Sequence, residues 1–392
     1  MKRLRHKLLA VAAPAALVAL ACGDHSTPVD PGDGPAVTIT SHAAGDTVSA
    51  VGFTLSGSAA DPDGVESVRL KVDGDVLATA GASVFSFFVP SLLFESGADR
   101  AITVEGEDGV GDKGSKTITV YVREMSIRSI GSGADQEREP AWSPTGAEIA
   151  YSSEGTVGNE DVYVVSAEGG APVQVTTSVN DDRSPSWAPA GDRIAFTSNR
   201  GGNWDIWTIP AAGGEATQVT VNLFPDRAPA WSPSGASIAF HSKRDGNWNI
   251  YAVSVVSGSP SGNPVAATAA ASAESSAAWS TGGEIAFVTN QLGGSDIYTV
   301  NPPDPVLSPV AGANDFTVRE LDPAYCPQGP YLLFSDNRNG QYDIWVLHPA
   351  TGRKRVVASH VAADWEPAWS PQGDRIAFSS NRGGTYDIWI VE

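Results

Sequence analysis

Cysteine is almost missing from this chain: 392 residues contain only Cys22 and Cys326, so no framework of disulfides can hold the fold. Histidine is nearly as scarce. Beyond the N-terminus it occurs at His25, His42, His241, His348 and His360, with no metal-ligand spacing such as HExxH. A GxSxG elbow and a phosphate-binding glycine loop are also absent, so the common hydrolase and nucleotide chemistries have no motif to carry them. Basic residues are few, 25 Lys and Arg against 45 Asp and Glu, which makes nucleic acid and bare anionic lipid poor partners. After the N-terminal segment no apolar run is long enough to span a bilayer.

What the chain has in abundance is one phrase, written six times. EPAWSPTGAEIAYSS surrounds Trp142, SPSWAPAGDRIAFTSN Trp187, APAWSPSGASIAFHSK Trp231 and SAAWSTGGEIAFVTN Trp279. A fifth copy, DPAYCPQGPYLLFSDN, has Tyr325 in the Trp slot, and EPAWSPQGDRIAFSSN surrounds Trp369. The anchors stand 44 to 48 residues apart. In each copy a short run carrying the aromatic meets a turn, Ser-Pro-x-Gly in its commonest form, where Pro fixes φ and Gly accepts positive φ. An apolar strand headed by Ile149, Ile194, Ile238, Ile285, Leu332 or Ile376 follows, then a polar loop of the SNRGG type. A third strand comes next, as in DIWTI from Asp205 or DIWIV from Asp387, and most copies add a fourth, such as PVQVT from Pro172. Four short strands per repeat of this length predict an all-β, six-bladed β-propeller.

The chain ends after the third strand of the last copy. The missing outer strand is predicted upstream, in SIRSIGS (126–132), because Ile130 precedes Trp142 by the same 12 residues that separate Val175 from Trp187 and Val357 from Trp369. Pairing this segment with the C-terminal strand would close the ring and remove its edges.

Residues 36–123 lack the repeat and any helical period. Short alternating segments from Val37, Thr54, Ser67, Phe85, Ala101 and Lys116 predict an immunoglobulin-like β-sandwich. SGSAADPDGVESVRLKVDG resembles the bacterial Ig-like modules of surface and secreted proteins. Asp61 and Asp63, with Asp108 or Asp112 of the EDGVGD loop, are candidate calcium ligands; the competing reading is that these acids simply cap turns. At the N-terminus, Lys2, Arg3, Arg5 and Lys7 precede the apolar stretch Leu8–Leu20 and the sequence VALAC. This resembles a bacterial lipoprotein signal. The resemblance implies cleavage after residue 21, a lipid on Cys22, a flexible tether over 22–35 and attachment to the outer membrane, facing the periplasm or the cell surface. Removing residues 1–21 leaves 21 Lys and Arg against 45 Asp and Glu, a net charge of −24.

The pattern AWSPxGxxIAFxSxRxGxxDIW over 124–392 resembles the TolB-type propeller repeat of the periplasmic protein TolB and of many secreted bacterial proteins. The resemblance implies the fold and leaves the function open. Five residues before each anchor stands an acid: Glu137, Asp182, Asp226, Glu274, Glu320 and Asp364. At a channel mouth such a ring would suit a cation, Ca²⁺ included, or a basic peptide. Inside the blades it would instead accept backbone N–H groups or pair with Arg200, Arg244, Arg338 and Arg382 of the SNR loops. The next position reads Arg138, Arg183 and Arg227 in the first three copies and Ser275, Leu321 and Trp365 in the last three, which marks Trp365 as a candidate partner contact. The expectation is a monomeric, lipid-anchored envelope protein whose propeller docks a protein, peptide or glycan. The alternatives are a metal-dependent propeller enzyme of lyase or lactonase type working at the channel, and a structural brace of the envelope.

Overall fold

The computed structural model describes residues 34–392 apart from 63, 95, 132–134, 156–157, 292 and 316. The leader, Cys22, the tether up to residue 33 and Asp63 lie outside the described residues. The described chain is all β except for one 3₁₀ turn, Ser91–Leu93, and none of its helical structure is long and apolar enough to cross a membrane.

The first domain is a two-sheet sandwich. Ala36–Ile39, Phe53–Ala60 and Val84–Val89 form one sheet. The other runs Thr47–Val48, Lys113–Val122, Ala98–Glu107, Ser67–Val72 and Asp75–Ala80. Alternation decides which residues face inward: Val68, Leu70 and Val72 are fully buried, as are Leu55 and Val104. The six strands expected here all form, and two more, the short Thr47–Val48 and Asp75–Ala80, join them.

The second domain is a ring of six four-stranded antiparallel blades, the third carrying an extra short strand, Ser259–Pro260. The innermost strands are Glu137–Trp142, Asp182–Trp187, Asp226–Trp231, Glu274–Trp279, Glu320–Tyr325 and Asp364–Trp369. Ring closure follows the predicted route. Ile127–Ser129 pairs with Asp387–Val391, setting Trp389 opposite Ser129 and Val391 opposite Ile127, and it supplies the outermost strand of blade six. The hydrophobic core lies between blades. Each second strand carries a fully or almost fully buried aromatic, Tyr151, Phe196, Phe240, Phe287, Phe334 or Phe378.

The two domains share a core. Phe88 sits 5.9 Å from Tyr331 and 6.5 Å from Trp369, ring centre to ring centre. A Cβ built on Gly373 would lie 2.8 Å from the Phe88 ring, so the glycine leaves room for it, and φ +73° there already favours glycine. Ser49 donates to the Asp374 carbonyl, and Arg353 pairs with Asp75 while covering the Phe94 ring. All these propeller groups belong to blades five and six, at the end where the innermost strands finish. The end where those strands begin is free of these contacts.

Candidate functional site

Every innermost strand carries the same distortion. The residue three before the anchor has positive φ, between 50° and 56°: Glu139, Ser184, Ala228, Ser276, Asp322 and Glu366. None is glycine, so each costs about 1 kcal/mol. The ladder slips at this point in all six blades, for example between Arg138 and Ala141. Such a bulge re-aims side chains. Here the six bulged residues and the six that follow them line an axial cavity of about 200 Å³.

The lining is lopsided. Blades five, six and one contribute Asp322, Glu366 and Glu139, while blades two, three and four contribute Ser184, Ala228 and Ser276. The carboxylates are chained across the blades. Glu366 N–H donates to the Asp322 carboxylate, Glu139 N–H to Glu366 Oε2 at 2.8 Å, and Ser184 N–H to Glu139 Oε2 at 2.7 Å. Hydroxyls complete the set: Ser335 to Asp322 at 2.9 Å, Ser379 to Glu366 at 2.7 Å and Ser152 to Glu139 at 2.6 Å. Burial, reinforced by Glu139 and Asp322, pushes the Glu366 carboxyl up to about 8. Burial also raises Asp322. Three adjacent carboxyls in one small cavity therefore favour a proton or an organic cation.

The ring of acids predicted at the channel mouth stands elsewhere. Glu137, Asp182, Asp226, Glu274, Glu320 and Asp364 are all at most 1% exposed, and none lines the axial cavity. Arg200 pairs with Asp182, Arg244 with Asp226 at 2.9 Å, Arg382 with Asp364 at 2.7 Å and Arg338 with Glu320 at 3.5 Å. Blade four has Gln291 in the Arg slot, and Thr268 donates to Glu274 instead. Burial raises Glu274 to about 6 and Glu320 to about 8. The backbone N–H of each acid also reaches a carbonyl of the preceding blade, as from Asp226 to Trp204 and from Glu137 to Tyr386. Of the two placements open on sequence grounds, the geometry is that of the blade-internal acceptor.

Around the mouth, the residue before the bulge meets a loop aromatic in blades one, two, three and six. Arg138 lies 3.9 Å over Tyr386, and Arg227 lies 5.3 Å from Trp204 and 5.9 Å from Trp248. Arg183 lies 5.3 Å from Trp204 and pairs with Glu160. Trp365 stacks on Tyr342 with ring centres 3.8 Å apart. Arginines on aromatics thus rim one half of the mouth, and a bare aromatic pair stands in the other half. His241, edge-on to Trp248, is pushed down to about 4 by burial and by Arg227.

The first domain's acids act within their loops. Asp108, 2% exposed, accepts the N–H groups of Val110, Gly111 and Asp112 through one oxygen. The Asp61 carbonyl accepts Gly64 N–H, and the Asp112 carbonyl accepts Asp108 N–H. Among the described residues, which do not include Asp63, no three His, Cys, Asp or Glu side chains converge so as to hold a metal ion. Cys326 is buried, and burial pushes its thiol up to about 12, which leaves it a neutral packing residue.

The three channel carboxylates were not anticipated from the repeat. Their signal was present in the residue before Pro, which reads Glu, Ser, Ala, Asp and Glu in five copies. In an unbroken strand, positions five and three before the anchor share a face, and only the bulge separates them.

Comparison with known proteins agrees with this architecture. A model of the TolB β-propeller domain matches residues 112–226, and a bacterial Ig domain model matches residues 35–120. No curated protein sequence matches the chain. Among solved structures, TolB from Acinetobacter baumannii is 18% identical with a TM-score of 0.51, covering 85% of this chain and 82% of that one. A gluconolactonase from Xanthomonas campestris is 13% identical with a TM-score of 0.52, covering 68% of this chain and 89% of that one. At such identities the likeness shows the fold alone.

Proposed function

We propose that this is a monomeric, lipid-anchored protein of the bacterial envelope whose propeller is a binding platform. Cys22 would carry the lipid, the tether and the Ig-like domain would hold the ring off the membrane, and the outer membrane is the site of attachment. The partner we favour is a polypeptide that offers a cationic side chain to the axial cavity. One observation carries this reading: Asp322, Glu366 and Glu139 stand together on one side of that cavity, whereas the symmetric acids are spent inside the blades.

Two features support it. The Ig-like domain docks where the innermost strands finish, which leaves the mouth free for a partner. The loops around that mouth present Val179, Leu223 and Val361, each at least 90% exposed, as apolar contacts outside the Arg and aromatic rim.

The test places a photo-reactive phenylalanine at Trp365 in one strain and at Val110 of the Ig-like domain in another, and irradiates whole cells. A discrete adduct is expected from position 365 only. It should disappear when Glu139→Gln, Asp322→Asn and Glu366→Gln are added. Adducts of equal yield from both positions, or one indifferent to the channel substitutions, would overturn the reading. In the same cells, Cys22→Ala should move the protein from the membrane to the soluble fraction.

A further inference from the structure

Where two blades meet, the residue heading one second strand faces the anchor aromatic of the next blade. At the six–one junction this is Arg375, whose guanidinium lies 4.9 Å over Trp142 and donates to the Gly146 carbonyl at 2.8 Å. At the five–six junction it is Tyr331, and Phe88 of the Ig-like domain enters the groove between Tyr331 and Trp369. Equivalent grooves in this one ring thus hold a guanidinium in one case and an aromatic ring in the other.

The four–five junction holds neither. Its anchor is Tyr325, shorter than the Trp of the other five copies, and a cavity of about 750 Å³ opens beside it. The size is within the range of sites that take small organic groups. Pro309, Pro327, Pro330 and Pro349 supply apolar walls around Tyr325 and Glu284. The Tyr325 hydroxyl donates to Glu284 Oε2 at 2.6 Å, and no Lys, Arg or His among the described residues pairs with that carboxylate. Among the described residues the one–two junction also keeps a cavity, of about 360 Å³ beside Trp187 and Glu148, but the four–five cavity is the larger and is the one whose acid is held by a tyrosine anchor.

We propose that the four–five groove is a second docking site, independent of the axial channel, for a partner polypeptide that presents an aromatic side chain next to an arginine. The aromatic ring lies between the proline walls as Phe88 lies against Trp369, and the guanidinium takes the free side of Glu284 as a charge-assisted pair. The groove abuts Gln328 and Gly329, so its occupant would sit beside the docked Ig-like domain, at the opposite end of the ring from the channel mouth.

The experiment titrates acetyl-Arg-Phe-amide into the full chain by calorimetry, with acetyl-citrulline-Phe-amide as the uncharged isostere. Saturable binding is expected for the arginine peptide with a Kd of about 0.1 mM. The citrulline peptide and the Glu284→Gln variant should each bind about tenfold more weakly. Tyr325→Trp installs the residue of the other five blades. It should fill the groove and abolish binding while the melting temperature holds or rises, which separates loss of the site from loss of the fold. Absence of saturable binding to the unsubstituted chain would overturn the proposal, and so would equal binding of both peptides, undiminished affinity in Glu284→Gln or retained binding in Tyr325→Trp.

Discussion

Two rings of side chains run round this propeller two residues apart, and they behave in opposite ways. The outer ring, Glu137 to Asp364, has an acid in every blade, is fully buried and is tied to arginines, hydroxyls and backbone. The inner ring, Glu139 to Glu366, has an acid in only three blades and faces the axial cavity. A position that obeys the symmetry of a repeat answers a need that every blade shares. A position that breaks the symmetry answers a need of one side of the ring. Blade five teaches the same lesson on a larger scale, because its departures, Tyr325 and Tyr331, coincide with an open groove and with the Phe88 contact.

The comparison is sharpest where it is broken. Asp226→Ala strands the Arg244 guanidinium and should cost about 3 kcal/mol, read as a fall in the denaturation midpoint. The channel substitution Asp322→Asn keeps the shape and most hydrogen bonds and should cost under about 1 kcal/mol. Comparable losses from the two would erase the distinction.

A smaller effect should appear with pH. Burial, with Glu139 and Asp322 beside it, pushes the Glu366 carboxyl up from an ordinary 4.5 to about 8, so between those values the folded state binds more protons than the unfolded chain. Stability from this group is full below the lower value and is lost as pH rises through about 8. Glu366→Gln should therefore flatten the decline of melting temperature from pH 5 to 9, with a gain on the order of 1 kcal/mol at the alkaline end. Buried Glu320, raised for the same reason, keeps part of the slope in place. The smallest change is expected from Trp365→Ala, which forfeits the Tyr342 stack and about 0.5–1 kcal/mol of stability. Its larger consequence should be for the partner adduct.

The ring was legible because a period of 44 to 48 residues leaves few architectures, and the closing strand because Ile130 keeps the offset of its counterparts. The channel was less legible. The position of the symmetric acids left both the channel mouth and the blade interior open, and the positive-φ bulge two residues on gives the cavity to another set of side chains. The union of the domains left only a faint mark. In VFSFFV, Phe85 and Phe87 fill the sandwich, while Phe88 breaks the alternation and is buried by the propeller. Edge strands such as Asp75–Ala80, with no buried residue, carried too little apolar pattern to be read.

The most direct test of the account is calorimetric titration of tri-lysine amide at low salt into three proteins. One is unsubstituted, and one carries Glu139→Gln, Asp322→Asn and Glu366→Gln. The third carries Glu154→Gln, Glu215→Gln and Asp304→Asn, three exposed acids that do not line the axial cavity. Binding to the first and third, with loss in the second, is the predicted result. Equal weakening in both variants would reduce the effect to net charge and contradict the claim that the symmetry-breaking carboxylates form the site.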